Sequence, residues 1–232
     1  MALSVKAKRG LIAFAIFDAA VIAALIFLFI LRAQINTKDE LRELGVTVYP
    51  DVRPVQEFQL VDENLSAYTE ANLKNQWTLL FFGFTSCPDI CPLTMAELKK
   101  FYEQMSDEKM KNELNIVMIS VDPERDSPEQ MGEYVNRFNE DFLGVTGSVD
   151  SIAAVAAQFF VAYSEPEPEA HAEHGDHMNT DTASAEDNYL ISHSGHIAVV
   201  NPDGNYHGVM RPPHRARDLA KAYQMLIDSS GF

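Results

Sequence analysis

The feature that most restricts the fold is an apolar stretch that runs directly into two closely spaced cysteines and a proline. Residues 78–84 are almost entirely apolar, and Cys87, Cys91 and Pro92 follow within eight residues. The chain has no other cysteine. The pattern predicts a buried strand, a dithiol loop and a helix, in that order.

Two thiols at this spacing suit a dithiol/disulfide couple, a clamp for a soft metal ion, or a structural disulfide. A structural disulfide is disfavoured because closing so short a loop removes little entropy from the unfolded chain. Proline suits the first helical position, so the helix is predicted to begin at Pro92, with Cys91 at its N-terminus. The unpaired N–H groups and the helix dipole then favour a thiolate at Cys91.

Strand and helix patterns alternate along the rest of the chain. Strands are predicted at 55–60, 78–84, 116–121, 189–193 and 197–201, and helices at 92–105, 128–139, 148–160 and 215–227. Ser127 is the expected N-cap of the second helix, and residues 201–204 are expected to turn a hairpin. The class is α/β, and the dithiol between a strand and a helix is the thioredoxin arrangement, with a spacing one residue longer.

The N-terminal part predicts a membrane anchor. The segments are a cytoplasmic N-terminus at 1–10, a transmembrane helix at 11–31, a polar tether at 32–52 and a thioredoxin-like domain at 53–232. Basic residues precede the apolar stretch, so the positive-inside rule places the domain on the exported side, most simply a bacterial periplasm. A cleaved signal peptide is the alternative interpretation.

Charge limits the partners. The formal net charge is −16, which argues against nucleic acid. An acidic surface suits cations or a partner with a basic face, and it also simply promotes solubility.

Three motifs together resemble a known family. They are Phe-Gly-Phe-Thr-Ser-Cys-Pro-Asp-Ile-Cys-Pro at 82–92, Ser-Val-Asp-Pro-Glu-Arg-Asp at 120–126 and Tyr-Leu-Ile-Ser-His-Ser at 189–194. The chain resembles the Sco/SenC family from about residue 54 onwards. That resemblance implies a thioredoxin-like copper-binding protein that helps to assemble the dinuclear copper site in subunit II of cytochrome c oxidase.

The resemblance also implies the copper ligands, which are Cys87, Cys91 and His193. Two thiolates favour Cu(I), and an imidazole helps to hold Cu(II). Taken alone, His193 is more typical of a packed core histidine at a strand end, and only the resemblance favours a ligand. Ser192 stands where the family usually has aspartate, which removes a carboxylate that would orient the imidazole.

Two further sets of residues are candidates for supporting roles. Asp122 either supports the site or contacts the partner protein, and a loop aspartate that bonds the backbone is an equally good interpretation. The acidic stretch at 165–188 is predicted to be a flexible insertion. It contains His171, His174, His177 and Met178, which either capture Cu(II) or Zn(II) as auxiliary ligands or form a neutral loop.

Three functions compete. The first is a copper metallochaperone that delivers to oxidase subunit II, with a thioredoxin-like reductant and another copper chaperone as further expected partners. The second is a thiol–disulfide reductase in which Cys87 and Cys91 keep the acceptor cysteines reduced. The third is a peroxiredoxin-like peroxidase that would use one cysteine with Thr85 and Arg125.

Overall fold

The computed structural model describes residues 5–162 and 195–230. Several predictions concern residues outside these ranges: the strand at 189–193, the insertion at 165–188, and the side chains of His171, His174, His177, Met178 and His193. They stay predictions. The chain forms two units, one ending at Leu44 and the other beginning at Gly45.

The first unit is a helix, α1 (Val5–Glu43), which includes residues 11–31 and the first part of the predicted tether. Within the described ranges, the structure contains no helix with the length and apolar character needed to cross a membrane. The predicted transmembrane helix at 11–31 is therefore not supported. The cytoplasmic location of residues 1–10 and the export of the domain depend on that helix and remain predictions.

The second unit is built on a mixed sheet. Among the described residues its strands are β1 (Val46–Pro54), β2 (Gln59–Asp62), β3 (Ala67–Thr69), β4 (Trp77–Gly83), β5 (Leu114–Ser120), β6 (Leu143–Thr146), β7 (Ile197–Val200) and β8 (Asn205–Met210). They lie in the order β1-β8-β7-β4-β5-β6-β2-β3. The central strands β4, β5 and β6 run parallel, whereas β7 pairs with β4 in the antiparallel direction.

The helices of this unit are α2 (Ile90–Gln104), α3 (Glu108–Asn112), α4 (Pro128–Asn136), α5 (Val149–Gln158) and α6 (Ala216–Ser230), and a 3-10 turn covers Glu70–Leu73. The predicted start of α4 is confirmed: Gln130 N–H donates to Ser127 Oγ at 3.2 Å, and Ser127 N–H donates to Gln130 Oε1 at 2.9 Å. This reciprocal pair is a capping box. Strands that alternate with helices confirm the α/β class.

Strand β4 is buried along its whole length because helices cover both faces of the sheet. On one face, Gly83 lies against Cys91 of α2. On the other face, the Phe82 ring lies 5.8 Å from the ring of Phe159, at the end of α5. Helix α6 packs on α2, where the rings of Phe101 and Tyr223 are 5.8 Å apart. The continuous apolar run is therefore the centre of the core.

The structure differs from the predicted elements in two respects. Residues 46–52, predicted as part of the tether, belong to β1, which pairs with β8. Strands β3, β6 and β8 were not expected, because they are short or alternate only weakly between apolar and polar residues. The predicted hairpin turn at 201–204 is confirmed, since β7 and β8 are antiparallel neighbours.

Candidate metal centre

The dithiol lies at the carboxyl end of β4. Cys87 is half-buried in the loop that follows the strand, and Cys91 is fully buried in the first turn of α2. The two sulfurs are not joined in a disulfide. Gly83 makes room for the inner thiol, because a Cβ atom at this position would stand 2.9 Å from Cys91 Sγ. A small residue at the strand end is thus part of the site.

Helix α2 begins at Ile90 rather than at Pro92, so the predicted helix start is wrong by two residues. Pro92 occupies the third helical position, where its missing N–H has no partner within the helix in any case. Asp89 is the N-cap residue, but its side chain makes no capping hydrogen bond. Cys91 therefore sits inside the first turn, and its side chain points into the core.

Burial changes the expected chemistry of the inner thiol. It raises the pKa of Cys91 well above its ordinary value, and a backbone hydrogen bond at Phe84 only partly opposes this. A hydrogen bond with the Cys87 thiol and the negative charge of Asp126 act in the same direction as burial. The predicted thiolate at Cys91 is thus wrong for the metal-free protein, because desolvation outweighs the helix N-terminus. A soft cation would have to displace the proton.

Asp122 follows β5, which is the parallel neighbour of β4, so its loop leaves the sheet at the same edge as the dithiol loop. Its buried carboxylate accepts a hydrogen bond from Arg125 Nε at 2.5 Å, and its N–H donates to Ser120 Oγ at 2.9 Å. The carboxylate thus pairs with the Arg125 side chain within the turn that follows β5. A role for Asp122 in supporting the site stays a prediction.

The residues proposed for a peroxidase are engaged elsewhere. Arg125 pairs with Asp122, and its guanidinium lies 6.0 Å from the centre of the Phe84 ring. The Thr85 hydroxyl donates to Asp126 Oδ1 at 2.5 Å. Both side chains are thus bonded to buried carboxyl groups, which favours the other two functions.

Asp126, which no sequence pattern singled out, bonds Thr85 in the dithiol loop and acts electrostatically on Cys91. It is fully buried, and burial raises the pKa of its carboxyl group, although hydrogen bonds from Ser120 and Thr85 oppose the shift. It belongs to the motif at 120–126, whose only residue singled out in advance as a support was Asp122. A second acidic residue four positions after the first was the available signal.

The third predicted ligand, His193, lies outside the described residues, but the chain on its C-terminal side does not. A Cβ atom on Gly195 would collide with Ile90 Cδ1, so Gly195 lies against the residue that precedes Cys91. The Nε2 atom of His214 is 2.7 Å from the carbonyl oxygen of Gly195. The start of β7 is therefore held next to the dithiol.

The donor set fits a soft metal ion. Two thiols close enough to share a hydrogen bond can both bind one ion, and thiolates select Cu(I) or Zn²⁺ over hard cations. In the part of the chain that the structure describes, no group of three or more His, Cys, Asp or Glu side chains is arranged to hold a metal. The described residues thus supply a two-sulfur site and no complete ligand set.

Comparison with known proteins identifies the family. The SCO1/SenC family model matches residues 50–228, which is most of the chain. The chain belongs to the SCO1/SenC family. A relative from Stutzerimonas stutzeri is 30% identical over 189 residues, covering 82% of this chain and 84% of the relative. The resemblance seen in the three motifs is confirmed.

Solved structures confirm the thioredoxin-like Sco fold. The crystal structure of Arabidopsis thaliana ScoI with copper bound is 31% identical, with a TM-score of 0.60, and covers 75% of this chain and 98% of its own. Bradyrhizobium japonicum ScoI with copper bound is 28% identical, with a TM-score of 0.60, and covers 74% and 98%. Both relatives of this SCO1/SenC family member were thus solved with copper.

Proposed function

We propose that this protein is a copper metallochaperone that delivers one copper ion to the dinuclear copper site in subunit II of cytochrome c oxidase. The observation that carries the proposal is the dithiol, in which an inner and an outer thiol share a hydrogen bond beside the central strand. Relatives with copper bound support the choice of metal. A thioredoxin-like reductant and another copper chaperone complete the proposed set of partners.

Cys87, Cys91 and His193 are the proposed ligands. The topology supports His193, because β7 runs antiparallel to β4 and begins at the edge of the sheet where the dithiol loop leaves. The contact between Gly195 and Ile90 brings the chain to α2 two residues after His193. Two thiolates with one imidazole suit both Cu(I) and Cu(II).

Delivery requires that one ligand be reachable from outside. Cys87 is half-buried, whereas Cys91 is fully enclosed. An acceptor thiolate can therefore approach copper from the Cys87 side and replace the ligands one at a time, with Cys91 the last to release. A site with few protein ligands favours such exchange over storage.

The same asymmetry supports a second candidate, the thiol–disulfide reductase. The Cys87 thiolate would attack a disulfide of the acceptor and release one acceptor thiolate, forming a mixed disulfide. Cys91, after losing its proton, would then attack Cys87 Sγ and release the second acceptor thiolate. Two electrons pass to the acceptor, and this protein is left with a Cys87–Cys91 disulfide. Burial raises the pKa of Cys91, which disfavours the thiolate that this second attack requires.

The histidine tract is a proposed auxiliary metal site. His171, His174, His177 and Met178 lie within eight residues, a density that suits weak capture of Cu(II) or Zn(II). Its role would be to raise the local metal concentration near His193. Replacing residues 170–178 with Gly and Ser should slow copper loading without changing the final stoichiometry.

Replacing His193 by alanine separates the two candidates. We expect His193→Ala to lower copper affinity by more than about 100-fold, since even residues that only support a ligand cost 10–100-fold. Disulfide reduction by Cys87 and Cys91 should persist. Copper affinity is measured by competition with a chromophoric chelator under anaerobic conditions, and disulfide reduction with an oxidised acceptor peptide.

His207→Phe is the matched control, because His207 lies on β8 and is not a proposed ligand. It should bind copper like the unchanged protein. If His193→Ala binds copper normally and still supports oxidase assembly, copper delivery through this histidine is refuted. If the unchanged, reduced protein takes up no copper at all, the metallochaperone is refuted and the reductase is the better function.

A further inference from the structure

Asp126 lies at the junction of the two loops that leave β4 and β5. Its carboxyl group accepts hydrogen bonds from Thr85 Oγ1 at 2.5 Å, from Thr85 N–H at 3.2 Å and from Ser120 Oγ at 2.6 Å. The side chain is fully buried. These bonds join the loop that carries the dithiol to the end of the neighbouring strand.

The position of Asp126 is set on its own side of this junction. Its N–H donates to the carbonyl oxygen of Asp122 at 2.9 Å, which closes a turn after β5. The next residue, Ser127, is the capped start of α4. A turn held at one end by a strand and at the other by a capped helix is a rigid support. Ser120, at the end of β5, also holds the Asp126 carboxyl group through the hydrogen bond from its hydroxyl group.

The dithiol loop depends on this support. Thr85 is the second residue after β4, and both its N–H and its hydroxyl group donate to Asp126. Two residues later, Cys87 N–H donates to the carbonyl oxygen of Phe84 at 3.2 Å. Cys91, which has no exposed surface, is hydrogen-bonded to this loop through the Phe84 backbone and the Cys87 thiol. Thr85 lies between these two contacts in the chain, so releasing Thr85 would free the segment that bonds the inner thiol.

We infer that Asp126 is a positioning residue for the dithiol: by holding Thr85, it keeps the Cys87 loop closed over Cys91. The inference rests on the proposed function only in assuming that the dithiol is the functional site, whether it binds copper or reduces a disulfide. The alternative is that Asp126 only stabilises the turn between β5 and α4. In that case, removing its bond to Thr85 would leave the thiols unchanged.

Alkylation of the two cysteines tests this inference without any metal. The reduced full-length protein is treated with iodoacetamide, and modification of Cys87 and of Cys91 is followed separately by mass spectrometry. We expect Thr85→Val to speed alkylation of Cys91 by about tenfold relative to Cys87, because losing one hydrogen bond to a charged group shifts a local opening equilibrium by that order. Thr85→Ser keeps the hydroxyl group and should restore the original rate.

Thr78→Val is the matched control, since Thr78 is a buried threonine at the other end of β4. In the Thr78→Val variant, iodoacetamide should alkylate Cys91 at the same rate as in the unchanged protein. Asp126→Asn should behave like Thr85→Val, and the Thr85 pair keeps the test valid if that variant does not fold. Unchanged Cys91 reactivity in Thr85→Val overturns the inference, and so does an equal increase at both cysteines.

Copper affinity of the same variants separates this inference from the proposed function. Thr85→Val should weaken Cu(I) binding, and Thr85→Ser should not. If the unchanged protein binds no copper while the alkylation pattern is as expected, the metallochaperone fails and the positioning role stands. If copper binds and the alkylation rates do not differ, the positioning role fails and the metallochaperone stands.

Discussion

The two ends of β4 differ in the hydrogen bonding of the buried polar side chains that lie in or beside the strand. At the carboxyl end, beside the dithiol, the buried carboxyl groups of Asp122 and Asp126 both accept hydrogen bonds from neighbouring side chains. At the amino end, Trp77 Nε1 and Thr78 Oγ1 are buried without a hydrogen-bond partner among the described residues. The two aspartates at one end are thus hydrogen-bonded and the two groups at the other end are not, although Tyr134 Oη, on α4 and close enough to feel the charges of both thiols, also lacks a hydrogen-bond partner among the described residues.

This difference indicates at which end of β4 the side chains have to be held in fixed positions. An unsatisfied buried polar group costs about 1–3 kcal/mol, yet it fixes no direction. A satisfied network costs ordering entropy but holds each member in one arrangement. The dithiol end needs two sulfurs in fixed positions, whereas the amino end, where the Trp77 and His207 rings are 5.3 Å apart, needs only packing. Substitutions at the two ends should therefore affect different properties.

The largest effect is expected for Gly83→Ala at the dithiol end. The new methyl group would stand 2.9 Å from Cys91 Sγ and from Phe81 Cε1, and 3.0 Å from Met118 Cε. Overpacking of this kind costs about 1–3 kcal/mol. We expect a lower free energy of unfolding in urea and weaker copper binding, because Cys91 has to move away from Cys87.

A double-mutant cycle with Cys91→Ala shows whether the sulfur is the obstacle. Removing Sγ removes one of the close contacts, so Gly83→Ala should cost less in the Cys91→Ala background. Costs that add without any interaction would mean that Phe81 and Met118 alone resist the methyl group. The role of Gly83 as space for the thiol would then be refuted.

The central elements were predictable because their patterns are strong. A continuous apolar run between polar segments predicted β4, and Ser127 with Gln130 predicted the start of α4. Strands β6 and β8 are short and lack a clear alternation of apolar residues, so the sequence did not reveal them. Strand β1 looked like a polar linker because five of its nine residues are exposed.

The site was predictable in its residues but not in its environment. The spacing of Cys87 and Cys91 indicated the dithiol. Only the structure shows that Cys91 lies inside the core, where burial raises the pKa of its thiol and cancels the effect of the helix start. The role of Asp126 depends on Thr85, 41 residues away, and a contact of that range leaves no local pattern in the sequence.

A smaller effect is expected at the amino end when pH is lowered. Burial lowers the pKa of His207 below its ordinary value, so the unfolded chain takes up a proton there first as pH falls through about 6.5. Unfolding then binds a proton, and stability falls as pH decreases towards the folded pKa. In His207→Phe, the slope of unfolding free energy against pH between about 6.5 and 5 should decrease, by at most about 1.4 kcal/mol per pH unit.

Burial also lowers the pKa values of His196 and His214, so part of the acid sensitivity should remain in this variant. Urea unfolding at a series of pH values measures the slope. The variant keeps an aromatic ring beside Trp77, which separates titration from packing. An unchanged slope would mean that His207 has the same pKa in the folded and unfolded chains.

The smallest effect is expected for Thr78→Val. The Thr78 hydroxyl group is buried and makes no hydrogen bond among the described residues, so replacing it with a methyl group of similar size removes a desolvated polar atom. We expect unchanged or slightly higher stability, by up to about 1 kcal/mol, with copper binding unaffected. Urea unfolding and chelator competition measure the two quantities. A clear loss of stability would show that this hydroxyl group has a partner, and the contrast between the two ends of β4 would then rest on Trp77 alone.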